Sequence, residues 1–217
     1  MNPEQARFNM VEQQIRPWQV LDKAALQVLS KLPRELFVPQ AYQALAYTDT
    51  EIPLGHGQTM VPPRIDARLM HDLLLNGSEK VLEIGTGSGY LSALLAGRAQ
   101  RVISLEINPD LARTARANLQ RAGVTNVDVR VADGSLGSAA DAPFDAIVLG
   151  GSVAEVPQAL LQQLKVGGHL LAIVGSDPVM CATRFTRTAD LTWQSKVLWD
   201  SAVPRLQGFA EPTRFHF

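Results

Sequence analysis

Two periodicities alternate along residues 79–175. KVLEI, RVISLE, VDVRVA, FDAIVLG and HLLAIVG are short and dominated by Val, Ile and Leu, as strands covered on both faces are. Between them lie LSALLAGRA, PDLARTARANLQRAG and AEVPQALLQQL, with apolar residues at helical spacing. Gly123 and Gly167 follow two of these segments, where helix ends favour glycine. Strands alternating with helices predict an α/β fold with a doubly wound, mostly parallel sheet. From about residue 179 the pattern changes. CATRFTRT and LTWQSKVLW alternate loosely and meet at Ala189-Asp190, which predicts an antiparallel hairpin at one sheet edge.

Residues 1 to about 76 read as helices broken by prolines. Ala6, Met10, Gln13 and Gln14 fit one short helix. Asp22 is placed to cap the next, where Leu26, Leu29 and Leu32 share a face. Pro33 and Pro39 bracket RELFV. The stretch GHGQTMVPPR at 55–64 is too polar and glycine-rich for a strand and too broken for a helix, so a loop is expected from Tyr47 to Val61. Pro62 and Pro63 then open a helix that buries Ile65, Leu69, Met70 and Leu73. The expected organisation is a single domain, 1–217, with a helical cover and loop (1–76), an α/β core (79–175) and edge strands (179–217).

Composition narrows the class. A chain of 217 residues, 46% of them hydrophobic, can bury a core without a disulfide or metal. The single cysteine, Cys181, excludes an intrachain disulfide and suits a reducing, cytoplasmic setting. A net charge of −1 without a basic run argues against nucleic acid. No run approaches ~18 apolar residues, so no membrane span is expected. His56, His71, His169 and His216 show no metal-ligand spacing with each other or with Cys181. Trp18, Trp193 and Trp199 read as packing residues, and RPW at 16–18 suggests no chemistry.

Ligands of an open parallel sheet sit outside the carboxyl ends of its strands. The first strand ends in LEIGTGSGY, with Gly85, Gly87 and Gly89 spaced G-x-G-x-G, which lets the backbone turn tightly against a ligand. It is not the dinucleotide fingerprint, because residue 90 is Tyr. Glu106 ends the second strand, where a carboxylate can accept both hydroxyls of a ribose. Asp133, in VADG after the third strand, can accept from an exocyclic amine such as that of adenine, or simply form a turn. The adjoining Thr86, Ile107 and Gly134 complete the candidate contacts. No basic residue stands at the glycine turn. Glu83 lies before it instead, and a negative charge there would repel a pyrophosphate and favour a cation such as the sulfonium of S-adenosylmethionine.

With these motifs in hand, the chain resembles the class I S-adenosylmethionine-dependent methyltransferases, and more narrowly the protein-L-isoaspartate O-methyltransferase family. The resemblance rests on MVEQQIRP (10–17), FVPQAY (37–42), YTDTEIPLGHGQT (47–59), VLEIGTGSGYLSALLA (81–96), VADGSLG (131–137), APFDAIVLGG (142–151) and VPQALLQQLKVGGHLLAIVG (156–175). It fades after residue 176. It implies a Rossmann-like fold, S-adenosylmethionine as cofactor, and methylation of isoaspartyl carboxyls in damaged proteins. It also implies that residues 55–64 close over the methyl group, with Gln58, Thr59 and Val61 at the catalytic loop. There the family carries a serine that contacts the substrate carboxylate; this chain has Val61 at that position, with Thr59, Gln58 or Arg64 as replacement donors. LGGSVAEVP, with Gly150, Gly151 and Ser152, is a second departure, Ser152 being expected to cap the next helix. The alternatives are a different protein or small-molecule acceptor, a non-catalytic S-adenosylmethionine-binding protein, and a nicotinamide oxidoreductase, which the glycine spacing disfavours.

Overall fold

The computed structural model describes residues 2–211; His216 lies outside the described residues. Helix α1 (Pro3–Met10) runs on through a π-type turn at Val11–Ile15 and a tight turn at Arg16–Trp18. Helix α2 (Lys23–Lys31) is capped by Asp22, whose carboxylate accepts the Ala24 and Ala25 amides. Leu26 and Leu29 are buried beneath it. Strands β1 (Ile52–Gly55) and β2 (Gln58–Met60) form a small antiparallel pair, followed by α3 (Pro63–Asp72). Then come β3 (Lys80–Ile84), α4 (Tyr90–Ala96), β4 (Arg101–Glu106), α5 (Pro109–Arg121), β5 (Val127–Val131), β6 (Phe144–Val153), α6 (Gln158–Gln162), β7 (Leu164–Ser176), β8 (Val179–Ala189) and β9 (Thr192–Asp200).

The main sheet has the order β5-β4-β3-β6-β7-β8-β9. The first five strands in that order pair in parallel, and β8 and β9 close the edge antiparallel. The chain leaves β3 toward β4 and later returns to its other side as β6, so the topological switch lies between β3 and β6. Such a crevice is where open α/β sheets hold ligands. One sheet face, carrying Val81, Val102 and Val148, packs with α3, α4 and the N-terminal cover through Met10, Ile15, Leu29 and Phe37. The other, carrying Leu82, Ile103 and Ile147, packs under Leu160 and Leu164.

The expected fold class, a doubly wound, mostly parallel sheet with an antiparallel hairpin, is the one observed. Three local expectations are corrected. The 55–64 stretch is not wholly a loop: Gln58–Met60 pair with Ile52–Gly55 across a turn in which Gly55, His56 and Gly57 all have positive φ. Glycine adopts that conformation readily, so the polar turn serves strand pairing. Gly167 does not end a helix. Helix α6 stops at Gln162, and Gly167 lies within β7 at φ +84, where the register with β6 shifts. Apolar residues at 164 and 166 satisfy either period, and pairing of Leu164 with Phe144 decides for strand. Ser152 caps no helix; it is fully buried inside β6.

The RPW stretch acquires a role. Trp18 meets Trp199 of β9 edge-on, ring centroids 6.2 Å apart. Arg64 stacks over Trp18 at 4.7 Å and Arg68 over Trp199 at 5.2 Å. The Trp199 indole donates to Asp72 at 2.7 Å. These interleaved cations and rings fasten the N-terminal cover and α3 to the edge hairpin.

Candidate active site

At the switch point the tips of β3, β4 and β6 open into a cleft of about 840 Å³ when its solvent-filled mouth is included. The glycine turn forms one wall. Gly85, Gly87 and Gly89 all have φ between +54° and +88°, so the alternating glycines answer a backbone requirement. Gly85 donates its amide to Leu105 at 2.8 Å, which ties the turn to β4. Thr86 is anchored to Ser104 at 2.6 Å.

Glu106 is the anchor of the opposite wall. Its Oε2 accepts the Gly87 amide at 2.9 Å and its Oε1 the Asn108 amide at 3.0 Å. The carboxylate is 5% exposed and still lines the cleft, so its remaining lone pairs are available to a ligand's hydroxyls. Ile107 and Gly134 line the same end. At the other end lie Gln58, Thr59, Met60 and Val61 of the hairpin and its exit. The Val61 carbonyl accepts from the fully buried Arg34 at 2.7 Å, which pins the backbone at that position.

Of the residues singled out from sequence, Gln58, Thr59, Val61, Gly85, Thr86, Gly87, Glu106, Ile107 and Gly134 share this cleft. Three others stand outside its lining. Gly89 is the left-handed entry to α4, packed against Ala115. Asp133 accepts the Ser135 amide on Oδ1 at 2.9 Å and caps a short turn. Glu83 points into the protein. It has no exposed surface, Ser92 donates to its Oε2, and its Oε1 has no partner among the described residues. Burial pushes its pKa up to about 8, against the pull of the Ser92 and Ser104 hydroxyls. Glu83 has no surface in the cleft, so the geometry does not support the charge argument drawn from it. Arg64 is not part of the cleft lining; its Nη1 pairs with Asp49 and its guanidinium stacks on Trp18.

The acid that does face this region is Asp66, in the first turn of α3. It lines the cleft, is 4% exposed, and its Oδ2 has no partner among the described residues. Burial pushes its pKa up to about 7, with Arg34 pulling the other way. Tyr90 lines the cleft beside it and stacks under Arg34 at 4.9 Å. One sequence signal was available: an acid inside the apolar face IDARLM. A second missed element is the segment after β9. Pro204, Arg205, Leu206 and Gln207 form part of the cleft, and Leu206 lies so close to Gly85 that a Cβ there would meet it at 2.5 Å.

Residues 5–203 match the family described as Protein-L-isoaspartate(D-aspartate) O-methyltransferase. A protein-L-isoaspartate O-methyltransferase of Methanoculleus marisnigri is 48% identical over 169 residues, 78% of this chain and 77% of that one. One of Geobacter metallireducens is 43% identical over 190 residues, 88% of each chain. Among solved structures, a protein-L-isoaspartate O-methyltransferase shares the fold with a TM-score of 0.82 at 24% identity, covering 93% of this chain and 66% of that one. A putative one from Plasmodium falciparum, in complex with S-adenosyl-L-homocysteine, has a TM-score of 0.76 at 21% identity over 94% of this chain and 97% of that one. The chain belongs to the protein-L-isoaspartate(D-aspartate) O-methyltransferase family.

Proposed function

We propose that this chain, acting as one methyltransferase unit, transfers a methyl group from S-adenosylmethionine to the free carboxylate of isoaspartyl residues in proteins and peptides. The observation that carries the proposal is the cleft itself, in which a glycine turn, a ribose-competent Glu106 and the 58–61 hairpin exit converge at the switch point. The residues suit this cofactor. The glycine turn has no basic side chain to hold a pyrophosphate, and the unpartnered oxygen of Asp66 is an acceptor for a cationic group. Glu106, Ile107 and Gly134 would hold the nucleoside, and Gly85 to Gly87 the middle of the molecule. When bound, S-adenosylmethionine supplies an electrophilic methyl on a sulfonium centre.

The chain's task is then orientation. The acceptor carboxylate is ionised at pH 7, so no general base is needed, and the transfer moves no proton. Holding acceptor and methyl group in line can supply ~7–11 kcal/mol of the barrier. Leu54, Met60 and Leu206 are apolar residues of the cleft lining. Val61 offers no hydroxyl to the acceptor, and Thr59 Oγ1, now donating to Glu51 at 3.2 Å, and the Gln58 amide are the nearby donors. Among the described residues no helix is long and apolar enough to cross a membrane, and the free Cys181 suits a cytoplasmic setting.

The test is methyl transfer to an isoaspartyl peptide beside its aspartyl twin, read by mass spectrometry. Ester on the isoaspartyl peptide alone is expected. Bound cofactor with no ester on either would overturn the assignment. Val61 favours a second reading, a different protein or small-molecule acceptor, and a methyl-acceptor screen of cell extract separates the two.

A further inference from the structure

The segment after β9 and the Gly150-Gly151-Ser152 departure belong to one construction. The Ser152 amide donates to the Pro204 carbonyl at 2.8 Å, and the Leu206 amide donates to the Ser152 carbonyl at 3.0 Å. The Ser152 hydroxyl donates to the Val203 carbonyl at 2.9 Å. Residues 203–206 therefore lie as a parallel strap on the end of β6. Gly151 makes room for it, and Gly150 makes room for the glycine turn beside it. A Cβ on Gly151 would meet the Pro204 carbonyl at 2.8 Å, and one on Gly150 the Gly85 carbonyl at 2.6 Å.

The strap brings Arg205 to the cleft. Among the described residues lining the cavity, Arg205 is the one basic residue, set against two acids, Asp66 and Glu106. Its guanidinium is held in place: Nε pairs with Glu211 at 3.0 Å, Nη2 donates to Ser176 Oγ at 3.1 Å, and Nη1 lies 3.4 Å from Ser152 Oγ. A guanidinium has five N–H donors, so two remain, one on each terminal nitrogen. Glu211 is half exposed and can be displaced by another carboxylate. An acceptor carboxylate entering a cleft with two acids and no hydroxyl at Val61 gains from a cationic partner beyond the neutral donors Thr59 and Gln58.

We propose that Arg205 is the acceptor-recognition residue, a guanidinium that binds the substrate carboxylate from the strap and takes over the part left open by Val61. The inference rests on the carboxylate acceptor proposed above. A purely structural Arg205, riveting the strap to Ser152 and Ser176, is the rival, and the experiment separates them.

Arg205→Gln, Arg205→Lys and Glu211→Gln are compared with the wild type in steady-state methylation of an isoaspartyl peptide and in calorimetry with S-adenosylhomocysteine. Arg205→Gln should raise KM for the peptide about ten- to a hundredfold, the size of one charge-assisted contact, with the S-adenosylhomocysteine Kd within about twofold. Arg205→Lys should recover part of the loss, and Glu211→Gln should lower KM by freeing the guanidinium. An unchanged KM in Arg205→Gln with an active wild type removes Arg205 from acceptor binding and leaves the proposed function standing. Loss of S-adenosylhomocysteine binding in Arg205→Gln, with Glu211→Gln impaired alongside it, supports the rivet instead and also overturns the inference. A wild type that binds S-adenosylhomocysteine and methylates no isoaspartyl peptide takes down both the inference and the function beneath it.

Discussion

Replacing Glu83 with glutamine is expected to stabilise the protein, by an amount that grows with pH. Glu83 sits in the middle of β3 with no exposed surface and one oxygen unpartnered among the described residues. Desolvation disfavours its charge, the Ser92 and Ser104 hydroxyls oppose that, and the nearby Asp66 and Glu106 add to it. The outcome is a pKa of about 8 in the folded protein against 4.5 for an unperturbed glutamate. The acid thus keeps its proton in the folded chain across a range where the unfolded chain has lost it. Its contribution is complete below about pH 4.5 and erodes as pH rises toward 8, by roughly 1.4 kcal/mol per unit. At pH 7 the erosion is about 3 kcal/mol. Glutamine cannot ionise in the unfolded state and escapes it. Urea denaturation of both proteins at pH 5 and pH 8 measures the difference. The variant's advantage should widen by about 3 kcal/mol between those pH values with an unchanged m-value, and its affinity for S-adenosylhomocysteine should stay within about threefold. A constant gap across pH, or a variant less stable throughout, would refute a neutral Glu83. Loss of S-adenosylhomocysteine affinity would restore it as a charge that serves the ligand.

Three further outcomes follow from the same geometry. Glu106→Ala should weaken S-adenosylhomocysteine binding by roughly tenfold or more, since a charged acceptor is lost and the Gly87 and Asn108 amides lose theirs; calorimetry showing an unchanged Kd would end the ribose role. Val61→Ser should raise kcat/KM on an isoaspartyl peptide by about tenfold, the value of a restored hydroxyl donor, and no gain with normal cofactor binding would point to another acceptor. Trp18→Ala should lower stability by about 3 kcal/mol, a melting temperature roughly 10 °C lower, because the Trp199 edge contact and the Arg64 stack both go; a shift under about 2 °C would show that the cover does not depend on this joint.

The parallel core could be read from the sequence because its strands are buried on both faces, so KVLEI and RVISLE could hardly form anything else. The glycine turn and Glu106 were legible for a related reason: strand tips at a switch point are where polar and glycine residues interrupt an apolar run. The direction of a side chain was not legible. Glu83 and Ile84 are neighbours on one strand and face opposite sides, and nothing in LEIG states which side meets the ligand. Asp66 reaches the cleft only because α3 turns its first residues toward Arg34 and Tyr90. The β1–β2 pair and the strap of residues 203–206 were hidden for another reason. Each takes its form from a partner strand, Gln58–Met60 from Ile52–Gly55 and Arg205 from Ser152, and local composition carries no trace of either pairing.

A crystal structure of the protein with S-adenosylhomocysteine tests the central claim most directly. The ligand should lie across the tips of β3 and β4, its sugar hydroxyls on the Glu106 carboxylate, its thioether toward Val61 and Leu206 above it. A cleft left empty by a ligand bound elsewhere, or a sugar that makes no contact with Glu106, would contradict it.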